Sequence, residues 1–157
     1  MADRYARANA HIQALLDELG AEWLTHDSSW LEEENSAAIA GNVQDDDQAM
    51  WFISLPDEVY DKGRVAYFVA LHEIGHLRQH KGARGGWLKR PTIGSTLDRE
   101  ADAWWYALGE AWYRPTKPVW RYITDAVESY MIAALSDGRY KASYSLETLL
   151  RTARERS

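Results

Sequence analysis

The sequence predicts an α+β fold, mostly helical with one small sheet. Three observations carry that expectation. Five stretches repeat apolar residues at helical spacing, and two short apolar stretches flank the turn-prone cluster Gln44-Asp45-Asp46-Asp47. The composition, 46% hydrophobic and 27% charged over 157 residues, is that of a globular chain that fits one domain spanning 1–157.

Tyr5, Ala8, Ile12, Leu15, Leu16 and Leu19 recur as one helical face, and Gly20 is the natural stop. Residues 21–35 are mixed and end in Glu32-Glu33-Glu34, which reads as a solvated stretch. Ser36 to Val43 and Gln48 to Leu55 read as strands of a hairpin, closed by Pro56. Asp45 to Asp47 lack the spaced oxygen ligands and distal Glu of a calcium loop. A long helix is expected from Val59 to His80, stopped by Gly82. The glycines and Pro91 of 81–95 make a connecting loop. Helical spacing resumes from Thr96 to Tyr113 and ends at Arg114-Pro115. Pro118 opens another helix through Leu135, Ser136-Asp137-Gly138 breaks it, and Ser145 caps a last helix with Glu147 in its first turn.

Composition also excludes functions. The chain has no cysteine, so disulfides, thiolate metal sites and thiol nucleophiles are ruled out, and any transition metal must be held by nitrogen and oxygen. A formal charge of −6 argues against a broad grip on nucleic acid phosphates. The basic residues Arg78, Lys81, Arg84, Lys89 and Arg90 are interrupted by glycines and read as a solvated loop. No window approaches a membrane span and no apolar signal core is seen. The expectation is a cytoplasmic protein with no nucleic acid and no membrane partner.

The informative stretch is Leu71-His72-Glu73-Ile74-Gly75-His76-Leu77, a His-Glu-x-x-His on the expected second helix. Residues four apart lie about 40° around a helix and about 6 Å along it, so His72 and His76 can face one metal. Glu73 lies about 100° from His72, beside such a metal without ligating it. Zinc held by two imidazoles and one further ligand, with a position left open, acidifies a water, and Glu73 can serve as the base for it. The structural alternative, two packed histidines with an incidental Glu, leaves a charged group on a helix whose other residues are largely apolar, from Val65 through Leu77.

For the third ligand, His80, Glu100 and the Asp98/Asp102 pair compete. His80 shares the helix of the other two, and one helix cannot easily bend three rings to one ion. A metzincin third histidine would fall at 82, which is Gly82. On the helix from Thr96, Leu97, Ala103, Trp104, Ala107 and Ala111 lie within about 60° of Glu100, with Asp98 and Asp102 opposite. Glu100 is therefore the acid on the apolar face and the expected third ligand to one zinc per chain, with a buried ion pair to Arg64 or Arg121 as its structural alternative.

His72-Glu73-Ile74-Gly75-His76 with Arg99-Glu100-Ala101-Asp102-Ala103-Trp104 resembles the gluzincin-type zinc metallopeptidases, most of all the compact ImmA/IrrE-like metallo-endopeptidases. The likeness covers about residues 36–113. It implies a zincin-like fold whose edge strand borders the active-site cleft, with His72, His76 and Glu100 as zinc ligands and Glu73 as general base. It also implies a hydrolase cutting a protein or peptide substrate. Trp104 stands where larger gluzincins carry an Asp that orients a histidine, so another partner, such as a backbone carbonyl, is expected there. The oxyanion stabiliser, or a further group supporting the ligands, remains open among His80, Tyr106, Tyr113, Tyr122 and Tyr130. The strand 48–55, with Trp51 and Ile53, is the expected substrate edge. The competing class is a catalytically silent zincin-fold regulatory or protein-binding module, against which the retained Glu73 speaks.

Overall fold

The computed structural model describes residues 5–26, 39–45, 48–56, 63–82, 96–138 and 143–157. Along them, one helix is followed by three strands and then by four helices. Helix α1 (Ala6–Leu19) leads into strands β1 (Ala21–His26), β2 (Ile39–Asp45) and β3 (Gln48–Pro56). Helices α2 (Arg64–Gly82), α3 (Thr96–Glu110), α4 (Lys117–Ser136) and α5 (Tyr144–Arg156) follow.

Helix α1 buries Ala8, Ile12, Leu15 and Leu16, the expected face, together with His11. Gly20 ends it in the left-handed region at φ 61°, donating its N–H to carbonyls of the last turn. The chain then enters β1 directly, where the sequence suggested a solvated stretch. Only Ala21 is buried among the first residues of β1, so its own pattern is too short to announce a strand. What holds it is parallel pairing with β3, from Ala21 opposite Trp51 to His26 opposite Pro56. The glutamates 32–34 lie outside the described residues.

The two expected strands pair antiparallel, from Ile39 opposite Ser54 to Asp45 opposite Gln48. Gln44 and Asp45 thus extend the strand into what the sequence suggested was the turn, and residues 36–38 and 46–47 lie outside the described residues. The strand order is β1-β3-β2. This corrects the expected substrate edge. β3 is the central strand, with Trp51 between Ala21 and Asn42 and Ile53 between Trp23 and Ala40. Its backbone faces sheet partners on both sides, and Ile53 is fully buried. Trp51 and Ile53 therefore offer no edge to a peptide; among the described residues the edges are β1 and β2.

Helix α2 is the spine of the molecule. It packs against α3 most extensively, and against α1, α4, β3 and β2. Val65 through Ile74 are all buried. It starts at Arg64 rather than Val59, because Gly63 adopts φ 59°, a left-handed conformation that cannot continue a right-handed helix. Residues 57–62 lie outside the described set. Helix α3 ends at Glu110, before the expected Tyr113, where the Trp112 N–H turns to donate to the Tyr67 hydroxyl at 3.0 Å. Helix α4 keeps its expected Pro near the start. The cap of α5 is Ser143, not Ser145: its hydroxyl accepts the Leu146 N–H at 3.2 Å, which makes Tyr144 the first helical residue. No described helix is long and apolar enough to cross a membrane.

Candidate metal centre

The ligand geometry starts with Gly75. A Cβ built there would sit 3.0 Å from Ala103 Cα and 3.1 Å from its carbonyl oxygen. The missing side chain lets α2 and α3 approach backbone to backbone, one turn after Glu100 on α3. His72 and His76, four apart on α2, and Glu100 on α3 thereby converge.

The distances describe a small triangle. His72 Nε2 and His76 Nε2 are 3.1 Å apart, and each is 3.3 Å from Glu100 Oε2. Tetrahedral zinc with bonds of about 2.0–2.1 Å separates its ligand atoms by about 3.3 Å, so this donor set fits the ion in spacing as well as chemistry. Glu73 stands beside the triangle, Oε1 4.0 Å from His72 Nε2, and is 6% exposed. The placement agrees with the position its helical angle suggested, beside the cluster and outside it.

Electrostatics bind the group tightly. Burial pushes His72 down to about 4, helped by the charge of His76 and opposed by Glu100. Burial also pulls on His76, but the hydrogen bond and charge of Glu100, the charge of Glu73 and a hydrogen bond to Gln79 together raise it to about 9. Burial would raise Glu100, yet the hydrogen bonds and charges of the two histidines hold it well below the usual carboxylate range. His76 thus holds a proton against the Glu100 carboxylate at the position a cation would take.

Two neighbours orient the rings. Trp104, 1% exposed, stacks on His72 with centroids 4.1 Å apart. The His72 Nδ1 has no hydrogen-bond partner among the described residues, so packing does the orienting that a carboxylate does in the larger gluzincins of the resemblance. His76 Nδ1 pairs with Gln79 Oε1 at 3.0 Å, so the different partner that the sequence called for is, at this ring, a side-chain amide. Sequence reasoning missed Gln79; the available signal was a polar residue one turn beyond His76 on the same side of an apolar helix.

The candidates for the remaining role separate. Tyr113 packs edge-on against Tyr67 and beneath the Arg64 guanidinium, and lines a cavity of about 250 Å³ with Tyr5, Ala8 and Thr116. It is remote from the triangle because α3 ends before it. Tyr106 lies under Arg78 and within the fields of Glu110 and Glu18, also away from the ligands. His80 stays beside His76 and Arg99, which with burial lower its pKa, but it does not join the ligand cluster. Helix α4 supplies the tyrosines that face the centre. Tyr122 is raised to about 12 by burial and by Glu73, and Tyr130 is raised well above the usual phenol range by burial, by Glu100, Glu73 and Tyr122, and by a hydrogen bond to the Glu100 carboxylate.

Comparison with protein-family models, curated proteins and solved structures finds no match for this chain.

Proposed function

We propose that the chain is a zinc-dependent metalloendopeptidase of the gluzincin type, similar to the ImmA/IrrE-like enzymes, hydrolysing a peptide bond in a protein or peptide substrate. The observation that carries this reading is the buried Glu73 carboxylate standing at the edge of the His72–His76–Glu100 triangle without entering it. A purely structural metal site has no use for such a base.

When bound, zinc supplies Lewis acidity and brings the ionisation of a water near neutral pH. Glu73 accepts the proton of the attacking water and returns it to the leaving amine. The Tyr130 phenol, kept protonated by burial and by the two carboxylates, turns its single O–H from Glu100 to the oxygen on which charge develops. Tyr122 beside Glu73 closes the other flank. An extended peptide has β2 available to it: this is the antiparallel edge of the described sheet, and it packs on the helix that carries His72.

The test is a cleavage screen of wild type against Glu73→Gln, with metal content measured on both. The variant is expected to keep zinc and lose about 10²–10⁴-fold in rate. Zinc retention with no cleavage by wild type on any substrate would favour the silent binding module instead.

A further inference from the structure

Gln79 is 8% exposed and makes three hydrogen bonds. Its Nε2 lies 2.8 Å from the Arg99 carbonyl and 2.8 Å from Asp102 Oδ2, and its Oε1 lies 3.0 Å from His76 Nδ1. Both partners of Nε2 are pure acceptors, a backbone carbonyl and a carboxylate, so the amide nitrogen must face them. The oxygen must then face His76. An amide oxygen only accepts, so Nδ1 carries a proton, and Nε2 is the nitrogen left to face His72 and Glu100.

We infer that Gln79 is the positioning residue of the metal centre: it sets the His76 tautomer and, through the Arg99 carbonyl and the Asp102 carboxylate, ties α2 to α3 on either side of Glu100. The inference rests on the zinc reading and adds to it a relay running Asp102–Gln79–His76. The Asp102 carboxylate polarises the amide, the amide oxygen becomes a better acceptor, and the imidazole becomes a better donor of electrons at Nε2. A single side chain thereby supports two of the three ligands, one on each helix. Asp102 faces away from Glu100 on α3, yet it is the end of the chain of hydrogen bonds that holds the site.

The experiment measures zinc affinity by chelator competition, with circular dichroism to confirm folding and imidazole ¹⁵N spectra to assign the tautomer. Wild type is expected to show His76 protonated at Nδ1 with zinc on Nε2. Gln79→Ala should bind zinc about 10–100-fold more weakly. Gln79→Glu should also weaken binding, because the introduced carboxylate meets Asp102 and cannot donate. Combining Gln79→Glu with Asp102→Asn restores a donor between them and should recover affinity, which a merely structural glutamine would not predict. Arg78→Ala, exposed on the same helix, is the control and should leave affinity unchanged. Wild-type affinity in folded Gln79→Ala, a double variant no tighter than Gln79→Glu, or zinc on His76 Nδ1 would each overturn the role of Gln79 while leaving the metal site standing. Wild type that takes up no zinc would overturn both.

Discussion

The indole of Trp104 lies over the imidazole of His72, ring centroids 4.1 Å apart and planes within 28°. A ring held by stacking is oriented by shape rather than by a charge, so the site depends on the packing of α3 as much as on its acids. Trp104→Ala should destabilise the fold by about 3–5 kcal/mol in denaturant titration and weaken zinc binding. Trp104→Phe retains a ring over His72 and should lose much less of both. Equal zinc affinity in folded Trp104→Ala would show that His72 needs no such support.

One zinc per chain is expected, in competition with a proton. His76 is raised from 6.5 to about 9, so in the metal-free protein it contributes stability that is complete below 6.5 and lost as pH rises through about 9. Zinc needs the same nitrogen unprotonated, and its apparent affinity should climb by up to about tenfold per pH unit across that interval. Melting temperatures taken with and without zinc should therefore diverge from pH 6.5 to 9, the metal-free value falling while the zinc-induced increase grows. An increase independent of pH would contradict a proton held by His76 at the metal position.

Gly75→Ala tests the close approach of α2 and α3. Helix propensity favours Ala by about 1 kcal/mol, but the added methyl lies 3.0 Å from the Ala103 backbone and α3 must give way. Metal-free stability should change little, while zinc affinity falls about tenfold because Glu100 moves with α3. A variant as tight as wild type would show that the triangle tolerates a wider helix spacing.

Tyr130→Phe tests the proposed oxyanion donor. It should keep its zinc and lose about 10²–10³-fold in kcat on a substrate found by the cleavage screen. Tyr106→Phe and Tyr113→Phe, whose rings lie elsewhere, should keep near-normal rates. A Tyr130→Phe enzyme with full kcat would return the role to Tyr122 or His80.

The most legible parts of this protein are those written along one helix. His72, Glu73 and His76 follow from angular spacing, Gly20 from its place after an apolar face, and Glu100 from being an acid among apolar neighbours on its own helix. The less legible parts depend on what lies across the gap. β1 exists because β3 pairs with it, and that pairing turns β3 from an edge into a centre and removes Trp51 and Ile53 from the expected substrate edge. Tyr130 rather than Tyr113 reaches the site because α3 stops at Glu110 and α4 returns over Glu100. Gln79 finds Asp102 because Gly75 lets two backbones come close enough for a side-chain amide to bridge them. Periodicity records which face of an element is apolar, since neighbours three and four apart share it. It does not record how near two such faces come, which side chains meet there, or which strand takes the middle, because those distances are set by packing between segments far apart in the chain.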